Sequence, residues 1–173
     1  MIDIKNIENS EPYLKFYSLY SQANLKKQQN IEAAVISSYD NILGEVNARY
    51  INLKYINKNN WIFFSNYKSP KAMDFEGHKQ IACVIYWPII KTQIRIKGNI
   101  KKTSNKISDE HFLTRSKKKN ALSISSIQSR NVDSYDRVIS SYKATLNSTP
   151  HNLIRPDYWG GYSFQPYYFE FWE

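Results

Sequence analysis

The hydrophobic positions change their period once along the chain, near residue 30. Tyr13, Phe16, Tyr17 and Tyr20 recur at i, i+3, i+4 and i+7, the spacing of one helix face, and Pro12 suits a first helical turn. From about residue 33 onward, β-branched and aromatic residues dominate in short runs divided by polar turns. The pattern therefore predicts a helical segment within residues 1–30, followed by a mostly β body.

The β body contains about six strands. They are predicted at 34–38, 45–56, 61–66, 81–86 and 92–100, with a turn and a strand pair within 158–172. Short polar turns between successive strands favour antiparallel pairing. Helices are predicted to begin near Ser69 and Ser108 and to span 134–146. Because closure removes exposed edges, the pattern favours a small barrel with appended helices.

Length and composition restrict the class of protein. A chain of 173 residues suits one domain, 1–173, and no apolar run is long enough to cross a membrane. The N-terminus lacks a secretory pattern, and the single cysteine predicts a cytoplasmic location. The formal charge of +9 suggests a polyanion partner, but the basic residues are scattered and the Lys/Asn/Ile/Tyr bias also fits an AT-rich genome. We expect small phosphorylated ligands, not nucleic acid.

The usual motifs of catalysis are missing from the sequence. It has no glycine-rich phosphate loop, and its three histidines lack the spacing of a metal site. Cys83 lies in an apolar run that favours a buried, inert thiol. We therefore predict no metal and no catalytic side chain, so that an enzyme of this sequence would take its chemistry from a cofactor.

Five strings give the sequence a specific resemblance. They are Arg49-Tyr-Ile-Asn-Leu-Lys54, Phe64-Ser-Asn-Tyr-Lys-Ser-Pro-Lys-Ala72, Tyr86-Trp-Pro88 with Gln93-Ile-Arg-Ile-Lys-Gly98, Gln128-Ser129, and Arg155-Pro-Asp-Tyr-Trp-Gly-Gly-Tyr162 with Glu170-Phe-Trp172. In order and approximate spacing they resemble the pyridoxamine 5'-phosphate oxidase family. The resemblance implies a six-stranded antiparallel split β-barrel of the FMN-binding type.

The same resemblance implies an FMN site. Its residues would be Arg49, Tyr50, Ile51, Asn52, Lys54, Phe64, Ser65, Lys71, Gln93, Gln128, Ser129 and Trp172. Arg49 and Lys71 would neutralise the FMN phosphate, whereas Gln93 would bind the flavin ring. Without the resemblance, Arg49 reads as a solvated strand cation, and Phe64 and Trp172 read as core aromatics.

A substrate phosphate site and a dimer are implied in the same way. Lys54, His111, Arg115 and Lys119 match a strand lysine and a helical Y-x-x-x-R-x-x-x-S set, although a solvated basic helix face is the alternative. If one helix continues from His111 to Lys119, the spacing puts these three residues on one face. Gln128 and Ser129 match a pair that reaches FMN from the second subunit, which implies a homodimer with FMN sites at the subunit interface.

The chain departs from the family pattern at three places. Pro70 and Thr92 replace arginines, which predicts weaker FMN binding, and residues 155–173 end before the R-L-H-D-R motif that holds the pyridoxal ring. The first hypothesis is an FMN-dependent oxidase that converts pyridoxamine or pyridoxine 5'-phosphate to pyridoxal 5'-phosphate, with oxygen as acceptor. Alternatives are an FMN- or vitamin-phosphate-binding protein with little oxidase activity, or a related flavin oxidase of another substrate.

Overall fold

A computed structural model describes residues 1–125, 131–147 and 154–173 of the chain. The strands are β1 (Asp3–Lys5), β2 (Ala33–Asp40), β3 (Glu45–Asn52), β4 (Tyr55–Asn57), β5 (Asn60–Asn66), β6 (Gln80–Trp87), β7 (Thr92–Lys102) and β8 (Trp159–Trp172). The helices are α1 (Glu11–Leu25), α2 (Pro70–Gly77), α3 (Asn105–Thr114), α4 (Lys117–Ser125) and α5 (Tyr135–Asn147), and a short 3₁₀ turn covers Pro88–Ile90. The predicted mainly β fold with appended helices is confirmed.

The strands form one eight-stranded sheet in the order β1-β4-β5-β8-β7-β6-β2-β3. All neighbours are antiparallel except β1 and β4. Because only Leu53 and Lys54 separate β3 from β4, which lies next to the other end of the order, the sheet must curl until its two ends approach. No ladder between described residues joins β3 to β1, so the sheet is not closed.

The prediction of six strands was wrong in number. β1 is a three-residue strand, too short to show an alternation of apolar and polar residues, and it is held by parallel pairing with β4. The run predicted as one strand at 45–56 divides into β3 and β4, since the backbone leaves the β2 ladder after Asn52 and joins β5 from Tyr55. Two additional short pieces thus come from tertiary pairing.

The C-terminal turn and strand pair were also predicted wrongly, because 159–172 form one continuous strand. Gly160 and Gly161 lie inside it: a Cβ on Gly161 would lie 2.5 Å from Thr103 Oγ1 and 3.1 Å from Phe64 Cε1. The glycines therefore permit close packing, not a turn. Pro166 is tolerated because β5 pairs only with the first half of β8, which leaves one edge of the second half free of a ladder.

The main core lies between the sheet and α1. Phe16 on α1 packs its ring 4.4 Å from that of Trp61 and 5.7 Å from that of Trp87, both fully buried. The predicted helix face is confirmed at Tyr13, Phe16 and Tyr20, whereas Tyr17 is 46% exposed. A second, smaller core of Phe112, Ala121 and Trp159 lies under α3 and α4.

The helices near the second core begin and end at identifiable signals. α3 begins three residues before its predicted start because the Ser104 side chain accepts a hydrogen bond from Ile107 N. α2 follows Ser69 with Pro70 in its first turn, and α5 matches its predicted bounds to within one residue. None of the described helices is both long and apolar enough to cross a membrane.

Candidate functional site

One cavity of about 550 Å³ opens between the strands and helices α2, α3 and α4. The predicted site residues that line it are Tyr50, Ile51, Asn52, Lys54, Phe64, Ser65, Lys71, His111, Arg115 and Lys119. Its other lining residues, to which the sequence assigned no site role, are Thr114, Ser116, Leu122, Ser123 and Trp159. Residues from strings far apart in sequence thus meet at one site.

Phe64 and Trp159 form an aromatic floor of the cavity, and the glycine pair of β8 lies next to them. Phe64 and Ser65 on β5 lie opposite Gly161 and Gly160 in the β5/β8 ladder. The ring of Phe64 is stacked on that of Trp159, at 5.4 Å between centroids and 12° between planes. A side chain at either glycine would meet residues around this floor, so β8 could not pack as closely.

His111 is stacked on the same floor and is held by Tyr55. Its ring lies 3.7 Å from the Phe64 ring and nearly parallel to it, and Nδ1 is 2.7 Å from the Tyr55 hydroxyl. Burial and the neighbouring cations, Arg115 first, lower the pKa of His111 to about 4. The imidazole is therefore neutral at physiological pH. When the Tyr55 hydroxyl donates to Nδ1, Nε2 carries the proton and can donate to an anion.

The condition that one helix continues from His111 to Lys119 is not met, because α3 ends at Thr114 and α4 begins at Lys117. Arg115 lies in the break, where its φ and ψ of −80° and 149° are extended. All three residues nevertheless line the cavity, since α4 folds back against Arg115. The guanidinium donates from Nη1 to Ser123 Oγ at 2.9 Å and from Nη2 to the Lys119 carbonyl at 3.1 Å.

Arg115 also lies over the aromatic floor. Its guanidinium carbon is 4.4 Å from the centroid of the Trp159 ring, a cation–π distance. Burial lowers the pKa of Arg115, but an arginine stays charged. We call Lys54, His111, Arg115 and Lys119 the Arg115 group. Within the part of the chain that the structure describes, no carboxylate forms an ion pair with Arg115 or Lys119.

A second set of charges lies where α2 packs beside β2 and β3. We call Arg49, Lys71, Ser38 and Asp74 the Arg49 group. Arg49 Nη1 donates to Ser38 Oγ at 2.6 Å, and Nη2 lies 3.9 Å from Asp74 Oδ2. Burial, followed by the charge of Arg49, lowers the pKa of Lys71. Lys71 lines the cavity, whereas Arg49 is not among the lining residues.

Two predicted site residues lie on strands away from the cavity, and two others lie outside the described residues. Gln93 on β7 and Trp172 on β8 are direct register partners, but neither lines the cavity. Trp172 is thirteen positions beyond Trp159, which corresponds to roughly 40 Å along an extended strand, and it is 67% exposed. Gln128 and Ser129 lie outside the described residues.

The substitutions predicted to weaken FMN binding have different settings. Pro70 is the first residue of α2. Its exposed ring stands beside Lys71, where the family pattern has an arginine and therefore a hydrogen-bond donor. Thr92, the first residue of β7, is 1% exposed and donates to the carbonyl of Ile90, so it fixes the turn that precedes the strand. Only Pro70 therefore adjoins a residue of the cavity.

Comparison of the chain with known proteins identifies its relatives. The chain is 30% identical over 164 residues to pyridoxine/pyridoxamine 5'-phosphate oxidase 1 of Hydrogenovibrio crunogenus. It is 32% identical over 169 residues to pyridoxine/pyridoxamine 5'-phosphate oxidase of Legionella pneumophila strain Paris. In both cases the match covers 95% of this chain and 76% of the relative. No family model matches the chain.

Solved structures support the fold. PhzG from Burkholderia lata 383, in complex with tetrahydrophenazine-1-carboxylic acid, superposes with a TM-score of 0.89 at 23% identity, over 94% of this chain and 80% of that one. A pyridoxamine 5'-phosphate oxidase-related, FMN binding protein from Nostoc punctiforme gives a TM-score of 0.76 at 10% identity, over 94% and 84%. From its identity to relatives over nearly its whole length, we conclude that the chain belongs to the pyridoxine/pyridoxamine 5'-phosphate oxidase family.

Proposed function

We propose that this protein is an FMN-dependent oxidase that converts pyridoxamine or pyridoxine 5'-phosphate to pyridoxal 5'-phosphate, with oxygen as acceptor. The observation that carries the proposal is the single cavity in which strings from β3, β5, α2 and the α3–α4 break meet. Its volume of about 550 Å³ lies within the range of cofactor and small-ligand sites. The relatives named as oxidases support an oxidoreductase.

The residues present fit FMN. Lys71 provides an ammonium group at the cavity wall, with Arg49 close enough to lower the pKa of that lysine. A phosphate dianion suits such cations, and the buried hydroxyl of Ser65 is a further polar group of the lining. Tyr50, Ile51 and Asn52 of β3 complete this part of the proposed cofactor site. When bound, FMN supplies the redox chemistry, because its isoalloxazine ring accepts a hydride and oxygen regenerates the oxidised ring.

The Arg115 group is proposed to hold the phosphate of the substrate. Arg115 uses two of its N–H groups on Ser123 and Lys119, which leaves the other donors of its fork for an anion. Lys119 adds positive charge, Lys54 adds a charge that Glu32 partly offsets at 3.6 Å, and neutral His111 offers a hydrogen-bond donor. These residues bind and orient the substrate, and such positioning can supply a large part of the rate enhancement.

The placement of Gln93 and Trp172 supports a homodimer with shared sites. Neither residue lines the cavity of its own chain, although the family resemblance assigns both to FMN. A second copy would resolve this difference by bringing its own Gln93 and Trp172 to the cavity, together with Gln128 and Ser129. The 67% exposure of Trp172 in the single chain fits burial against a partner.

The assignment is tested by reconstitution. Purified protein is titrated with FMN while flavin fluorescence and absorption are followed, and pyridoxine 5'-phosphate is then added under air. Binding with stoichiometric quenching, followed by formation of pyridoxal 5'-phosphate and peroxide in equal amounts, is expected. Tight FMN binding without turnover would contradict the oxidase assignment and leave a flavin-binding protein.

Shared sites are tested by mixing two variants of low activity. R115A removes a cavity residue and W172A removes a residue proposed to act in the other copy. If sites are shared, mixed dimers regain up to about a quarter of the wild-type sites, because only one of the two sites in a heterodimer is intact. A monomer by light scattering, or no recovery in the mixture, would contradict the shared site.

A further inference from the structure

Asp74 places a carboxylate directly behind the cation pair of the Arg49 group. Its side chain is only 3% exposed, and Ser38, also 3% exposed, donates its hydroxyl proton to Asp74 Oδ2 at 2.5 Å. The same Ser38 oxygen accepts a hydrogen bond from Arg49 Nη1 at 2.6 Å. Ser38 thus connects the acid to the guanidinium in a short chain of two hydrogen bonds.

Helix geometry explains why this acid lies so close to the cavity. Lys71 and Asp74 are three residues apart on α2, so they lie on one face of the helix. Ser38 belongs to β2 and Arg49 to the neighbouring β3, and both face α2. The packing of α2 on these strands therefore brings a buried negative charge to Arg49, on the helix face that also carries Lys71.

The charges do not act independently. Burial lowers the pKa of Arg49, and the attraction of Asp74 opposes that effect. Burial, and after it the charge of Arg49, lowers the pKa of Lys71. A buried acid is costly unless it is paired, so Asp74 is held in place by the cation it stabilises.

We propose that Asp74 is a positioning residue that fixes the guanidinium of Arg49 through Ser38. The negative charge of Asp74 also offsets the positive charge of Arg49. Lys71 is therefore the main uncompensated cation that a phosphate meets. The inference rests on the proposed function, in which the Arg49 group binds the phosphate of FMN. Its consequence is that the protein restrains its own affinity for FMN while leaving its affinity for riboflavin, which lacks the phosphate, unaffected.

The test compares FMN with riboflavin in wild type and D74N. Asparagine retains an oxygen that can accept from Ser38, but it removes the charge. We expect D74N to bind FMN on the order of fivefold more tightly, because the buried carboxylate of Asp74 no longer repels the phosphate dianion. Riboflavin affinity is expected to stay unchanged, and both are measured by fluorescence quenching.

E76Q is the matched control. Glu76 lies on the same helix and the substitution removes the same charge, but its side chain is 61% exposed and paired with Lys102. We expect both flavins to bind E76Q as they bind wild type. An equal gain in E76Q and D74N would indicate a general effect of net charge and would overturn the proposal.

S38A tests the positioning role separately and does not depend on the folding of D74N. Without the Ser38 hydroxyl, Arg49 loses its link to Asp74, and FMN binding is expected to weaken about fivefold with riboflavin unchanged. Circular dichroism checks that each variant is folded. An unchanged ratio of FMN to riboflavin affinity in D74N and S38A overturns the inference alone, whereas a wild-type protein that binds neither flavin overturns the proposed function with it.

Discussion

The Arg49 group and the Arg115 group show two ways of presenting positive charge to one cavity. In the first, Arg49 is held by a buried acid through Ser38, so much of its charge is already compensated. In the second, Arg115 is held by neutral partners, the Ser123 hydroxyl and a main-chain carbonyl, over the face of Trp159. Neutral partners orient a guanidinium without reducing its net charge.

The difference follows from the elements that carry each group. Arg49 lies on the sheet under a packed helix, where a buried cation needs a counter-ion. Arg115 lies in a helix break at the cavity edge, where the Ser123 hydroxyl and the Lys119 carbonyl of the following helix are available as acceptors. We therefore expect the Arg115 group to bind anions more strongly than the Arg49 group, and each prediction below tests that ranking.

Loss of Arg115 has the largest expected effect. In R115A the substrate phosphate loses at least two charge-assisted hydrogen bonds, so kcat/KM for pyridoxine 5'-phosphate should fall on the order of a hundredfold. FMN affinity should not change. Steady-state kinetics and FMN titration are compared with R137A, which removes an exposed arginine of α5. A parallel loss of FMN binding in R115A would show that the two groups are not separate anchors.

Loss of Lys71 is expected to have a smaller effect, on the other ligand. K71M removes the main uncompensated cation of the Arg49 group, and the dissociation constant for FMN should rise about tenfold while that for riboflavin stays the same. The KM for substrate at saturating FMN should be unaffected. The control is K68M, since Lys68 is exposed and lies over the ring of Tyr158. Equal weakening of FMN and riboflavin would contradict a phosphate role.

The sequence predicted those members of the two groups that match the family strings or the helical set. Lys54, Lys71 and Arg115 were all predicted in this way, together with Phe64, and the structure brings them into one cavity. Arg49 was found as well, but its string gave no indication of its counter-ion. The link between Ser38 and Asp74 spans 36 residues and exists only because α2 packs against β2. Local patterns do not encode such a contact.

Two further features were hidden because the local signal pointed the other way. The pair Gly160-Gly161 is typical of a turn, yet tertiary packing against Tyr67 and Thr103 requires it inside a strand. The i, i+4, i+8 spacing of His111, Arg115 and Lys119 is typical of one helix, yet the helix is interrupted at Arg115. The packing of α4 then brings Lys119 back to the cavity. In the first case the competing structure depends on residues distant in sequence, and in the second it depends on how the following helix packs against Arg115.

Loss of Lys119 sharpens the comparison within the Arg115 group. Its side chain is exposed, so its attraction to a phosphate is screened by water and salt. K119S should raise the KM for substrate only about threefold at low ionic strength, and the difference from wild type should vanish at high salt. K118S, a neighbouring exposed lysine outside the cavity lining, is the control. A large effect that persists at high salt would instead place Lys119 in direct, desolvated contact with the anion.

The smallest expected effect is on the pH dependence of the melting temperature. It distinguishes the two groups because the Arg115 group contains a histidine and the Arg49 group does not. Burial and then Arg115 lower the pKa of His111 from 6.5 to about 4. A base with a depressed folded-state pKa favours folding fully above pH 6.5, and this contribution is lost as the pH falls toward 4. Relative to H111Q, the melting temperature of wild type should therefore drop by a few degrees over that interval, since solvent reduces the effect. R115A removes a repelling charge and so raises the folded-state pKa of His111, which should make the drop smaller and end it at a higher pH, whereas K71M should leave it unchanged. If K71M reduces the drop as R115A does, the two groups are electrostatically one site, and the ranking of their anion affinities loses its basis.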